Sequence, residues 1–194
     1  MVRVIIAGRT GTGKTTLLKT LTDYFCVPPL VTYTDRPIRD GEDPESYHFL
    51  SEKEMDSLLA KKDTELPVTL GNYRYCTTKG DLEKAELMVL EPSGIYRMLE
   101  LFPEDDFLIL YTAAPKEQIL PKIRERDREN PEEAIKKYEA RAQKEGPVFT
   151  AFENDLKRLH DKDNVTVLHP AAFPKDRYAG FMHTVEIIRT CYHR

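Results

Sequence analysis

Residues 8–15 read Gly8-Arg9-Thr10-Gly11-Thr12-Gly13-Lys14-Thr15. The run meets the pattern G-x-x-x-x-G-K-[ST] at every fixed position. Before it, Val2-Arg3-Val4-Ile5-Ile6-Ala7 is mostly apolar and β-branched and predicts a strand. After it, Thr15 to Phe25 predicts a helix with Leu17, Leu18, Leu21 and Phe25 on one face. Strand, glycine-rich loop and helix is the arrangement that phosphate binding needs. Glycines at 8, 11 and 13 let the backbone turn so that its N–H groups converge on phosphate oxygens. The helix N-terminus adds partial positive charge. In this pattern Lys14 reaches the β- and γ-phosphates and the Thr15 hydroxyl binds Mg²⁺.

Outward from this loop, apolar strand patterns alternate with helix patterns. Leu30–Thr34 predicts a second strand, and the polar, turn-rich residues 35–46 a loop. Ser51 and Glu54 form a capping box ahead of a short helix ending near Lys62. Leu66–Thr78 predicts a hairpin around Gly71-Asn72. Leu87–Leu90 and Phe107–Tyr111 have the short apolar character of buried parallel strands, with a helix over Ser93–Phe102 between them. Pro115 opens a further helix that Pro121 is expected to kink or break. Asn130 and Pro131 start a charged helix to Lys144. Val165–Leu168 is a last strand and Tyr178–Tyr192 a last helix. Alternating elements predict an α/β fold with a parallel sheet flanked by helices.

The 194 residues suffice for one well-buried domain. A net charge of −4 gives no basis for a nucleic-acid or anionic-membrane partner. No 18-residue apolar run exists, and the chain enters a strand at once, so neither a membrane span nor a signal peptide is expected. Cys26, Cys76 and Cys191 are odd in number and far apart, which offers no disulfide framework and suits a reducing cytoplasm. The five histidines show no metal-ligand spacing. The expectation is a cytoplasmic protein, monomer or homodimer.

A second group of residues selects among phosphate chemistries. The spacing Arg36-x-x-Arg39-x-Gly41-Glu42, followed by Tyr47-x-Phe49, resembles the nucleoside-monophosphate site of guanylate kinases. Guanidinium groups three residues apart can grip one phosphate in paired charge-assisted bonds, and a tyrosine hydroxyl adds a donor. The resemblance continues at Glu65, six residues before Gly71-Asn72-Tyr73, where the family's glutamate accepts from the guanine edge. Thr32 falls where the family has a small hydroxyl facing the base. Tyr75-Cys76-Thr77 takes the place of its Tyr-Gly-Ser/Thr, after one extra residue, Arg74. Leu87-Met88-Val89-Leu90-Glu91 resembles a Walker B strand, with Glu91-Pro92-Ser93-Gly94 where the family has Asp-x-x-Gly. Arg124-x-x-x-Arg128 resembles the lid arginines, which at i, i+4 would share a helix face. The chain departs from the family at Val89, usually acidic. The stretch between hairpin and strand is short, and a lid arginine is missing near Tyr138. Arg141 is the nearest replacement.

The resemblance, over roughly residues 3–170, implies transfer of the ATP γ-phosphate to GMP or dGMP with Mg²⁺. It implies ATP binding by Gly8, Thr10, Gly11, Thr12, Gly13, Lys14, Thr15 and Thr16, with Thr15 on the metal. It implies acceptor binding by Thr32, Arg36, Arg39, Tyr47, Glu65, Tyr75, Thr77 and Glu91. Lys14, Arg39, Arg124 and Arg128 would carry the catalysis. The implied plan is a P-loop kinase core (1–31, 80–121, 147–194) with an acceptor-binding insert (32–79) and a lid (122–146). Other readings stay open: a kinase for another nucleotide or sugar phosphate, a non-catalytic guanylate-kinase-like binding module, or a plain NTPase.

Overall fold

The structure is a computed structural model that describes residues 1–39, 42–169, 185–186 and 188–190. In chain order the elements are β1 (Val2–Gly8), α1 (Lys14–Phe25), β2 (Tyr33–Thr34), β3 (His48–Phe49), α2 (Glu52–Leu59), β4 (Thr64–Leu70), β5 (Tyr73–Thr78), α3 (Lys79–Lys84), β6 (Leu87–Val89), α4 (Pro92–Leu101), β7 (Asp106–Thr112), α5 (Lys116–Arg126), α6 (Pro131–His160) and β8 (Val165–Leu168). They fall into two compact units. One is Met1–Val27 with Leu87–Arg194, the other Pro28–Glu86. The second contains the whole of the expected insert.

The first unit is built on an all-parallel sheet in the order β6-β1-β7-β8. β1 has a hydrogen-bonded neighbour on each side, which explains its nearly unbroken apolar run. Side chains alternate across it. Val4 and Ile6, with Leu108 and Leu110 of β7, turn toward α1 and pack with Leu21, Leu87 and Ile188. Leu17, Leu18 and Phe25 complete this layer, as the helical periodicity predicts. Leu21 is fully buried there, and truncating it to alanine would cost about 2–5 kcal/mol. On the opposite face Tyr111 of β7 and Tyr96 of α4 both pack edge or tilt against Phe152 of α6, at 5.8 and 5.9 Å between ring centroids. Helices therefore cover both faces of the sheet. Of the expected last helix, Val185, Glu186 and Ile188–Thr190 are helical, and its remaining residues lie outside the described ones.

Pro121 does not break α5, which continues through it to Arg126. The expected end of the charged helix at Lys144 is corrected, because α6 runs through Pro147 to His160. Each proline removes one N–H that would have bonded the carbonyl four residues earlier. Those carbonyls belong to Glu117 and Gln143, both exposed, where water can take up the lost bond. The packing gained outweighs the loss. Ile119 and Ile123 of α5 meet Ala134 and Ile135 of α6, and Phe149, Phe152, Leu156 and Leu159 are buried beyond Pro147. The expected lid boundary at residue 146 thus falls inside one continuous helix.

The second unit is a four-stranded mixed sheet in the order β3-β2-β5-β4. The expected strand at Leu30–Thr34 shrinks to Tyr33–Thr34 and belongs here, not to the parallel sheet. β4 and β5 form the hairpin, with Leu70 paired to Tyr73 across Gly71-Asn72. Gly71 supplies the positive φ that the two-residue turn requires. The register shifts between Glu65 and Val68, because Leu66 adopts a φ of 52° before Pro67. Pro67 has no N–H for the ladder, so a bulge is where it fits. Met55 and Leu58 of α2 pack on Cys76 with Tyr33 and Leu50, covering one face of the sheet. The Ser51–Glu54 capping box at the start of α2 forms in full.

Candidate active site

The glycine-rich loop sits between β1 and α1 of the first unit, and its glycines are required by geometry. Gly8 has a φ of 147°, and a Cβ there would come within 2.2 Å of the Thr112 carbonyl oxygen. Gly11, at φ 79°, would meet Ile119 at 2.6 Å and Tyr138 at 3.3 Å. Gly13 is the N-cap of α1 in the left-handed conformation. No side chain caps this helix start and no acid lies in its first turn, which leaves its amides and dipole for an anion. Thr12 is buried and braces the loop. Its hydroxyl donates to the Arg9 carbonyl at 2.8 Å and lies 2.8 Å from the Thr112 hydroxyl. Thr15 and Thr16 are exposed at the start of α1.

Around the loop lies a cluster of charges. Lys14 Nζ donates to the carbonyls of Gly8 and Arg9, at 2.7 and 3.0 Å. Burial lowers its pKa, and Glu91 and Glu145 pull the other way. Glu91 is the N-cap of α4, yet its carboxylate makes no capping bond. It lies 4.0 Å from an Arg141 nitrogen, and burial raises its pKa against the pull of Lys14. The structure therefore groups Glu91 with Lys14, Arg141 and Glu145. Glu145 accepts from the Thr10 N–H at 3.2 Å and is paired with Arg141. Arg9 reaches α6 at Glu153 (2.7 and 3.0 Å) and Thr150 (3.0 Å), and the Tyr111 hydroxyl donates to Glu153 at 2.5 Å. His169 rests against Tyr111, 6.0 Å between rings.

One lid expectation is corrected. Arg124 and Arg128 do not share a helix face, because α5 ends at Arg126 and Asp127 leaves helical geometry at φ −117°, ψ 69°. Arg124 is exposed in the last turn, 3.7 Å from Glu132. Arg128 is in the following loop, donating to the Glu125 carbonyl at 3.2 Å.

In the second unit Arg36, Tyr47, Phe49 and Tyr75 lie together. Arg36 is buried, with both terminal nitrogens on Glu42 (2.9 and 2.7 Å) and one on the Pro37 carbonyl. Its guanidinium lies over the rings of Tyr47 and Phe49, at 5.2 and 5.5 Å. Tyr47 in turn meets Tyr75 edge-on, at 5.9 Å. Burial raises the Tyr47 pKa, so the ring presents a neutral hydroxyl. Arg39 is exposed and its N–H donates to Glu42. Gly41 lies outside the described residues. Thr32 uses its carbonyl to accept from the His48 N–H. Glu65 stands opposite Thr77 in the ladder. Thr77 is buried, and its hydroxyl has no hydrogen-bond partner, a condition shared among the described residues only with Thr22.

Sequence reasoning missed several residues that build this framework. Glu42, which the spacing Arg36-x-x-Arg39-x-Gly41-Glu42 includes without a role, is the carboxylate that locks Arg36. Arg74, the extra hairpin residue, donates through its N–H and side chain to Asp35 at 2.7 and 2.6 Å and also pairs with Asp56 in the middle of α2. Burial would raise the Asp35 pKa, but the bonds from Arg74 hold it below its usual value. Glu145 and Glu153 of α6 carried no local signal, since their meaning depends on a helix crossing the loop. No cluster of three or more His, Cys, Asp or Glu residues suited to a metal is found among the described residues. Nor is any described helix long and apolar enough to cross a membrane.

The parallel sheet, the glycine-rich loop and the helices on both faces define an α/β P-loop kinase fold. A solved structure of guanylate kinase from Anaplasma phagocytophilum superposes with a TM-score of 0.54 over 97% of this chain and 85% of its own, at 17% identity. In sequence the chain is 27% identical over 136 residues to the guanylate kinase of Fusobacterium nucleatum subsp. nucleatum, covering 66% of this chain and 72% of the relative. It is 28% identical over 142 residues to that of Mycoplasma genitalium, covering 69% of this chain and 59% of the relative. No family model matches the sequence. In sequence the chain is thus similar to guanylate kinases at 27–28% identity, and its fold is like theirs.

Proposed function

We propose that this protein transfers the γ-phosphoryl group of ATP to GMP or dGMP. A phosphate oxygen of the acceptor attacks the γ-phosphorus, the bond to the β–γ bridging oxygen breaks, and ADP leaves. The observation that carries the reading is the Glu65–Thr77 pair, a carboxylate beside an orphaned buried hydroxyl, in the unit that also holds Arg36, Tyr47 and Tyr75. Guanine offers N1–H and an adjacent amino group as donors to a carboxylate, and adenine does not match that pattern. Buried polar groups left unpaired by the wrong base give discrimination.

In this reading Arg36, Arg39, Tyr47 and Tyr75 hold the acceptor phosphate, while Glu65, Thr77 and Thr32 select the base. The loop from Gly8 to Thr16 holds the donor phosphates, and Lys14 leaves its carbonyl partners to neutralise transferring charge. Arg124 and Arg128 supply further positive charge from the lid, and Arg141 stands near enough to Glu91 and Lys14 to join them. Magnesium fits the oxygen donors present, the exposed Thr15 hydroxyl and the uncapping Glu91 carboxylate, and would screen phosphate charge there.

The test is ADP release with ATP, Mg²⁺ and each of GMP, dGMP, AMP, CMP, UMP, dTMP and no acceptor. Turnover confined to GMP and dGMP is expected. Equal use of other acceptors would remove the base assignment. ADP release without acceptor would indicate an NTPase, and no turnover at all a binding module.

A further inference from the structure

Helix α6 touches the phosphate-binding loop along four of its turns. A Cβ at Gly11 would lie 3.3 Å from Tyr138. Glu145 Oε2 accepts from the Thr10 N–H at 3.2 Å, and Glu145 Oε1 is paired with Arg141. A Cβ at Gly146 would lie 4.0 Å from Arg9 Nη1. Thr150 and Glu153 bind the Arg9 guanidinium. Of these contacts, Glu145 is the one that resembles a ligand. A carboxylate shared between a backbone amide of the loop and a guanidinium uses the same two kinds of donor that a phosphate oxygen uses. The Glu145 side chain is 12% exposed where it meets the loop amide, while that of Arg141 is 45% exposed.

We propose that Glu145 is an internal anion that competes with the donor phosphates for the loop. Bound to Thr10 and Arg141, it keeps α6 docked on the loop and leaves Arg141 neutralised between Glu145 and Glu91. The incoming polyphosphate takes the Thr10 amide, displaces the carboxylate and releases Arg141. The docked contact lowers the fraction of molecules competent to bind, so the apparent donor affinity is weaker than the loop alone would give. The inference rests on the reading of residues 8–16 as the donor-phosphate site.

The experiment is titration calorimetry of the full chain with ATP and with inorganic tripolyphosphate. Glu145→Gln keeps the length of the side chain and removes its charge. Glu145→Asp keeps the charge and withdraws it by one methylene from the Thr10 amide. Both are expected to tighten Kd for the two ligands, Glu145→Gln by roughly fivefold or more, the scale of one charge-assisted bond. Glu139→Gln removes a charge from the same helix at a residue that pairs with Lys116, and its Kd should match the wild type. An unchanged or weaker Kd in both Glu145 variants, or an equal gain in Glu139→Gln, overturns the proposal. If neither wild type nor variants bind either ligand, the phosphate-site reading fails and this proposal with it. Binding by wild type without gain in the variants removes this proposal alone.

Discussion

Glu65 faces Thr77 directly across the β4–β5 ladder, and the Thr77 hydroxyl is buried without a hydrogen-bond partner. Directly opposed residues in an antiparallel pair have Cβ atoms about 4.5–5.5 Å apart, so one planar ligand edge can span both. A buried, unpartnered hydroxyl costs folding free energy of about 1–3 kcal/mol. Selection for folding alone would favour valine there, which has the same shape without the hydroxyl.

Thr77→Val should therefore separate stability from function. The variant is expected to be as stable as wild type or up to about 1 kcal/mol more stable in urea denaturation. Its kcat/KM for GMP is expected to fall several-fold, while its affinity for ATP stays unchanged. Loss of stability in Thr77→Val would mean that the hydroxyl has a structural partner and no base to serve. Glu65→Gln, in the same assay, should cost about 1–3 kcal/mol in kcat/KM for GMP, the scale of a hydrogen bond to a charged group.

The loop makes the reverse separation. In Gly8→Ala the added methyl meets a backbone carbonyl at 2.2 Å, at a φ of 147° that alanine avoids. The Thr112 carbonyl belongs to a buried strand and cannot move aside, so a loss of at least ~3 kcal/mol is expected. Lys14→Met removes two bonds to loop carbonyls that water can replace, and leaves the glycine-set shape intact. Turnover should vanish with only a small change in the melting temperature. Wild-type kcat in Lys14→Met would contradict the proposed role of the lysine.

How much of this was legible in the sequence depends on the range of each interaction. The loop, its strand and its helix were readable because glycine conformation and apolar periodicity are local. The capping box and the Gly71-Asn72 turn were readable for the same reason. α6 was not. Pro147 is a strong local stop signal, and only burial of Phe149, Phe152, Leu156 and Leu159 against other elements overrides it. The lid arginines show the same limit in reverse, since nothing in their spacing announces that α5 ends at Arg126. Arg36 and Arg39 look equivalent in sequence. The structure divides them, one buried against Glu42 and the rings of Tyr47 and Phe49, the other exposed.

That division predicts unequal variants. Glu42→Gln removes the charge that pairs with buried Arg36, and breaking such a pair one-sidedly costs up to about 3 kcal/mol at this partly exposed edge. The bond to Arg36 holds the Glu42 pKa below its usual 4.5. The pair's stabilisation is thus full above pH 4.5 and is lost as pH falls through the lower folded value. The stability difference between wild type and Glu42→Gln should narrow on acidification. A difference that is constant with pH would mean that Glu42 does not act as a carboxylate. Arg39→Ala, by contrast, should leave stability within about 0.5 kcal/mol and act on acceptor KM.

The α4–α6 packing carries the most sharply bounded pH signature. The Tyr96 hydroxyl donates to Asp155 at 2.6 Å, and Arg158 holds the same carboxylate at 2.5 and 2.9 Å. Arg158 first, then Tyr96, lowers the Asp155 pKa from 3.8 to about 2. Burial, then the bond to Asp155, pushes Tyr96 from 10.0 up to about 12. A lowered carboxyl pKa contributes stability above 3.8 that is lost toward about 2, and a raised phenol pKa contributes stability below 10.0 that is lost toward about 12. The bond is therefore complete only while the phenol is protonated and the carboxylate is charged. Tyr96→Phe should cost about 1–2 kcal/mol in that interval. Denaturant melts at a series of pH values should show the cost shrinking below 3.8 and above 10.0. A cost that stays flat through both limits would assign Tyr96 to ring packing on Phe152 and not to its hydroxyl.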